Sequence, residues 1–215
     1  MQVMRTKRLV RVLSGVRFAV TGRASGGGGV RHVNRTLSWR RTFAIIEWQS
    51  VDLAQVGRRQ LDEHWRGQGA DIWSALLEPF ESKGTWRGRA AFGAAPGATA
   101  GGGVVASLTY ARIRPSRMWS FYMRGFPKTA RRATGRDSTM IAGVGFGDVP
   151  VRHACTFSLW PSSADVARFA YASSGAHGPV QARSKEEDWL SESLFARFTI
   201  AAHEGTWAAG DPLAR

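Results

Sequence analysis

Few side chains here can ligate a metal or move a proton near neutral pH: His32, His64, His153, His177, His203 and a single cysteine, Cys155. Their spacing matches neither His-x-x-x-His nor His-Glu-x-x-His zinc chemistry, and no Ser-His-Asp or Cys-His arrangement emerges. One cysteine excludes an intrachain disulfide and a multi-cysteine zinc site. Cys155 lies in an apolar run, where a thiol behaves as a small buried hydrophobe. His177 stands in Ser173-Ser-Gly-Ala-His-Gly-Pro-Val180, after an amphipathic stretch and beside a Gly/Pro break. An imidazole held by irregular backbone next to an apolar cavity is placed to ligate a metal such as iron; an ordinary loop histidine is the alternative. His153, just ahead of a strand, is the reserve candidate. Arg112, Arg114, Arg117, Arg183 and Arg197 could meet the carboxylates of a ligand, and their plain role is surface solvation.

The elements that would position these groups repeat. Phe43–Trp48 is echoed by Cys155–Trp160, and the Asp52/His64 pair by Asp165/His177 at the same separation. Asp71-Ile-Trp73 returns as Glu187-Asp-Trp189, and Gly84-Thr-Trp86 as Gly205-Thr-Trp207. Four matches in one order indicate duplication, with a period too long for a solenoid. In the second copy, the β-branched alternation of Val104–Arg112 predicts a strand. Pro115 opens a helix, Met140–Phe146 and Ala154–Trp160 are two more strands, and Ser162 or Ser163 caps a helix. A loop follows near Gly175–Pro179, and Trp189–Ala202 returns to the sheet. The order β-α-β-β-α-β is the split unit of ferredoxin-like folds. In the first copy, residues 4–13 and Val51–Trp65 read as helices, with strands at Val16–Thr21, Thr42–Trp48 and Ile72–Lys83.

The expected fold class is therefore α+β, with duplicated ferredoxin-like units forming a dimeric-α+β-barrel-type fold. Residues 1–89 are its first half, 90–103 a Gly/Ala-rich linker and 104–215 its second half. The first half lacks a first strand, leaving an edge to be closed by the second copy, a second subunit or residues before this start. Such a barrel is expected to leave an apolar cavity between sheet and helices. The Gly26–Gly29 run lacks the Lys-Ser/Thr of a phosphate loop and reads as plain flexibility.

The 215-residue chain carries 30 Lys/Arg against 16 Asp/Glu, a formal net charge of +14. The excess is concentrated: residues 1–41 hold ten basic side chains and no acid, and 91–150 hold eight against two. Arg5, Lys7, Arg8 and Arg11 alternate with Leu9, Val10, Val12 and Leu13 as in a short basic amphipathic helix. Anionic membrane surfaces and acidic ligands are the partners this suggests, and no nucleic-acid motif accompanies the charge. No run of eighteen apolar residues exists to span a bilayer. The cysteine usage agrees with a reducing cytoplasm.

Val149-Pro-Val-Arg-His153, Thr156-Phe-Ser-Leu-Trp-Pro161, His177, the run Trp189–Phe198, Glu204-Gly-Thr-Trp207 and Asp211-Pro-Leu213 together resemble the spheroidene monooxygenase family. The likeness is dense over about 104–213 and colinear over about 40–90, where Gly84-Thr-Trp-Arg-Gly88 fits. It implies a monooxygenase with haem b and dioxygen acting on a small or lipophilic organic substrate, supplied by an electron donor. Within it, His177 is the expected iron ligand with His153 in reserve, and Arg183, Arg114 and Arg117 would hold the haem propionates. A cytoplasmic protein, peripheral to the membrane and able to form a homodimer, completes the expectation. Three other readings remain open: a haem peroxidase or dehydratase, a cofactor-free ferredoxin-like monooxygenase, and a basic binding protein without turnover.

Overall fold

A computed structural model describes residues 2–25, 31–32, 37–95, 97–125, 139–149, 151–171, 177–207 and 210–214. The strands are β1 (Val16–Ser25), β2 (Arg31–His32), β3 (Leu37–Trp48), β4 (Trp73–Gly84), β5 (Val105–Ile113), β6 (Ala142–Gly147), β7 (His153–Trp160) and β8 (Leu190–Gly205). The helices are α1 (Gln2–Val12), α2 (Val51–Arg66), α4 (Ser163–Tyr171) and α5 (His177–Glu186). Between β5 and β6 lies α3, a helical stretch that starts at Pro115 and passes from a 3-10 turn through Met118–Ser120 into a π turn, Phe121–Gly125.

Seven strands join in the order β3-β1-β6-β7-β5-β8-β4, every neighbouring pair antiparallel, and the short β2 adds in parallel to β6. β5 is central because both its flanks are fully paired, Val105–Arg112 to Trp160–His153 on one side and Val105–Ile113 to Thr199–Leu190 on the other. Its residues are buried almost throughout, as a strand covered on both faces requires. The strands of the second half lie in the order β6-β7-β5-β8. The first half supplies β3 and β1 at one end of the sheet and β4 at the other.

One inner cluster draws side chains from every long strand, so the sheet curls around it: Val20, Phe43, Leu77, Leu108, Phe146, Leu159 and Phe198 among them. Trp86 and Phe92, just past β4, enter the same space. Two outer clusters lie beneath helices. Val10, Leu13 and Leu61 pack α1 and α2 on Val16, Ala19, Ile46 and Trp48, while Val166 and Phe169 pack α4 on Val105, Phe195 and Trp160. α2 also packs against both β3 and β4, the two ends of the sheet.

Local chemistry explains most boundaries. Ser50 caps α2, its Oγ accepting from the Leu53 amide at 3.3 Å, and Ser162 does the same for Asp165 at 3.2 Å. Gly57 lets α2 approach the sheet, since a Cβ there would sit 2.0 Å from Trp48 Cη2. Pro79 coincides with an irregularity in the β4–β8 register, at the outer strand where a missing N–H is tolerated.

The mixed α+β architecture and the expected elements are present, with differences that have local causes. The loop expected near Gly175–Pro179 gives way to α5 from His177, because Pro179 falls in a first turn where its lost N–H costs nothing. Residues 172–176 and the Gly26–Gly29 run lie outside the described residues. The space between sheet and helices, expected to be a cavity, holds the two outer clusters within the described residues. The interior of the curled sheet is filled as well: Trp86 is wholly buried and stacks on Tyr110 with centroids 4.6 Å apart, and Phe18, Phe92, Phe146 and Phe198 close around them. Surface hollows of about 550 and 450 Å³ instead open beside Ala100–Val104, near Pro161–Ala164 and His203 respectively.

Candidate functional site

At one end of the sheet, β5, β7 and β8 carry Arg112, His153 and Glu192 in a single cross-strand row. Alternation along β5 puts Arg112 on the same face as Tyr110, which faces the inner cluster. The row is therefore continuous with the packed interior and stands at its mouth.

His153 is held by Asp148, with Nδ1 and Oδ1 2.6 Å apart. The pair is well sheltered, at 9% and 3% side-chain exposure. Arg87, in the turn after β4, donates to the other carboxylate oxygen of Asp148. Burial alone would push Asp148 upward, but the hydrogen bonds from His153 and Arg87 outweigh it and hold the carboxyl at about 2. Facing a carboxylate, Nδ1 is the donor of this bond, and Nε2 has no hydrogen-bond partner among the described residues. A carboxylate behind one ring nitrogen and an open second nitrogen is the usual setting of a metal-ligating or proton-accepting histidine.

Tyr110 and Glu192 complete the wall. The Tyr110 ring meets His153 edge-on at 5.3 Å, and its hydroxyl donates to Glu192 Oε2 at 3.1 Å. Glu192 Oε1 accepts from Thr85 Oγ1 at 3.0 Å and from the Gly88 amide at 2.6 Å. Burial, then the neighbouring Glu192 charge, raises the Tyr110 phenol well above its ordinary value, so it stays protonated and acts as a donor. Glu192 is itself partly desolvated, yet these donors hold its carboxyl below the usual range. Cys155, in register with Tyr110, is pushed up by burial and stays a thiol. Arg112, on β5, and Arg152, in the turn before β7, each have a buried Nε without a hydrogen-bond acceptor among the described residues.

The residues singled out from sequence are only partly brought together. His153 and Arg112 share the row. Arg114 follows β5 but is engaged with Asp188 at 3.0 Å, and Arg183 lies 3.7 Å from Glu187. Glu187 also accepts from Ser120 Oγ and from Trp189 Nε1, so it ties α3, α5 and the start of β8 together. Arg117 is exposed in α3. Arg197 is far from the row, pairing with Glu81 at 3.3 Å. His177 opens α5, and its side chain lies outside the described residues, as does that of His32. His64 contacts Gln68 on α2, and His203 faces Asp211. Among the described residues, no cluster of three or more His, Cys, Asp or Glu could enclose a metal by itself.

Tyr110, Asp148, Arg152, Glu192 and Arg87 escaped sequence reasoning. Asp148 had a readable signal, an acid five residues before a histidine across a Pro-containing turn. The others meet through strand register and a loop return, which no local motif encodes.

The chain is similar to the spheroidene monooxygenase of Rubrivivax gelatinosus, 33% identical over 198 residues that cover 90% of this chain and 72% of that protein. To the enzyme of the same name from Rhodobacter capsulatus it is 34% identical over 155 residues, covering 71% of this chain and 62% of the relative. To that of Cereibacter sphaeroides it is 26% identical over 178 residues, covering 82% and 54%. The chain thus spans less than two thirds of the length of the latter two. No protein-family profile matches it. Solved structures with some likeness include a candidate monooxygenase from Fusobacterium nucleatum, at 11% identity and TM-score 0.44 over 95% of this chain and 87% of that one. Another comes from Lactobacillus acidophilus, at 7% identity and TM-score 0.43 over 95% and 88%. With a third of its residues shared along nine-tenths of its length, the chain belongs to the spheroidene monooxygenase family.

Proposed function

We propose that this chain is a haem-dependent monooxygenase of a small or lipophilic organic substrate, with its reaction centre at the mouth formed by β5, β7 and β8. The observation that carries this reading is His153, anchored through Nδ1 by a sheltered carboxylate and open at Nε2. Family membership supplies the reaction class.

The donor set suits a haem. Nε2 of His153 would be the iron ligand, and Asp148 would fix the ring's tautomer and orientation and raise its basicity. Arg112 and Arg152, whose buried Nε groups lack an acceptor, would meet the propionates, with the exposed Arg117 alongside. Arg114 and Arg183 would have to leave Asp188 and Glu187 to do so. When bound, haem would supply dioxygen activation with electrons from a donor. Tyr110, its hydroxyl committed to Glu192, would hold its ring edge-on against the ligating imidazole, and Trp86 would exclude water from the space behind it. The same reading takes residues 1–89 and 104–215 as two ferredoxin-like halves joined through 90–103. The strand order β6-β7-β5-β8 supports it, and so do the matched glycine turns at Gly84 and Gly205.

The test is the visible spectrum of purified protein after haem supplementation. A Soret band lost in His153→Ala and kept in His177→Ala is the expected result. Loss only in His177→Ala would move the ligand to α5, and absence of any band in the unmodified protein would overturn haem dependence.

A further inference from the structure

The exposed face of α1 has no role in the site, yet its composition is unusual. The helix packs through Thr6, Val10 and Leu13, which lie on one side of its wheel and are buried. The opposite arc presents Met4, Arg5, Arg8, Arg11 and Val12, with no acidic residue anywhere in the helix. Met4 is 59% and Val12 77% exposed, so two apolar side chains stand in water among three guanidinium groups. Val51, at 59% exposure, begins α2 at the same end, where Leu53 packs on Gly15 just past Val12. A purely solvating face would place polar side chains at positions 4, 12 and 51. Apolar tips ringed by arginines are what an interfacial helix needs, because the tips enter the acyl boundary while the cations meet phosphates.

We infer that this α1 face is a docking surface for an anionic lipid membrane. Charge complementarity argues for lipid phosphate, and the exposed Met4, Val12 and Val51 argue for a bilayer over a nucleic acid, whose phosphate backbone gives apolar tips nothing to enter. Past α1 the chain enters β1, where the Arg17 carbonyl accepts from Arg89 at 2.8 Å, and Arg89 belongs to the turn that sends Arg87 to Asp148. The surface itself stands independently of whether the chain binds haem.

The test is co-sedimentation of the full chain with equimolar phosphatidylcholine/phosphatidylglycerol vesicles, against pure phosphatidylcholine vesicles and a duplex oligonucleotide. Binding to the anionic vesicles that weakens with salt is expected. Replacing Arg5, Arg8 and Arg11 together by Gln should weaken it on the order of a hundredfold, from roughly fivefold per cation. Met4→Ser with Val12→Ser should weaken it less, and in both variants far-UV circular dichroism and Tm should be unchanged because the side chains are exposed. Equal vesicle binding by the arginine variant would overturn the inference. So would preference for the oligonucleotide, or binding that disappears only with Trp119→Ala, the exposed tryptophan of α3.

Discussion

Glu192 collects donors from two places: the Tyr110 hydroxyl on β5, and the Thr85 hydroxyl and Gly88 amide in the turn after β4. It is the side chain that fastens the Trp86 turn to the sheet. Its carboxyl is partly desolvated, which alone would raise it, and the three hydrogen bonds bring it below its ordinary value. A depressed carboxylate contributes stability that is present above the unfolded-state pKa and is lost as pH falls through the folded one. Glu192→Gln keeps the shape but removes the charge, and a cost of about 1–3 kcal/mol is expected, since hydrogen bonds to an ionised group are replaced by weaker ones. Denaturant unfolding at pH 7 measures that loss. Repeating it at successively lower pH should show the two proteins converging only as pH falls below the ordinary glutamate value and through the depressed folded one, where the native glutamate becomes protonated. Equal stability at pH 7 would show that Glu192 only decorates the turn.

At the scale of elements, β4 and β8 end in the same way. Gly84 and Gly205 have φ of +92° and +91°, and the threonine amide that follows each donates across the ladder, Thr85 to the Ser193 carbonyl at 2.8 Å and Thr206 to that of Ile72 at 2.7 Å. Each turn then delivers a tryptophan inward, Trp86 onto Tyr110 and Trp207 onto Trp73 and Phe157. A Cβ at Gly84 would lie 2.1 Å from the Ser193 oxygen, and one at Gly205 1.9 Å from that of Ile72. Backbone cannot step aside as a flexible side chain can. Gly84→Ala and Gly205→Ala are each expected to destabilise by about 3 kcal/mol or more, from positive-φ strain plus the clash. Gly88→Ala also meets a positive φ but open space, and about 1 kcal/mol is expected there. Thermal unfolding of the three variants checks the ranking, and a Gly88 variant as damaged as the other two would break it.

For the whole molecule, the sheet's two ends are β3 and β4, with α2 lying across both. Protection should therefore be graded. Amide hydrogen exchange is expected to be slowest in β5, β7 and β8, which are paired on both sides, and faster along the free flanks of β3 and β4. Uniform protection of β3 and β4 would mean that something closes those edges in solution, such as a second copy of the chain. How much of this was legible in the sequence varies with the physical origin of each feature. Element types followed from local rules: alternation made β5, the serine at position 162 capped α4, and basic amphipathic spacing made α1. The repeated Gly-Thr-Trp motif could be read because a positive-φ turn demands glycine wherever it recurs. His153 was legible as a candidate, though ranked behind His177, since the Asp148 contact that distinguishes it forms only when the turn between β6 and β7 folds back. The join between Arg112, His153 and Glu192 lies in the register of three strands whose residues are up to 80 positions apart. So the sequence by itself determined most of the helices and strands, α5 and the short β2 excepted, along with where the turns must hold glycine and where the positive charge collects, because these depend on neighbours along the chain. Only the tertiary structure decided that the interior is filled by Trp86 and Phe92 and which histidine gains a carboxylate, because long-range pairing and the return of a loop into the core set those contacts.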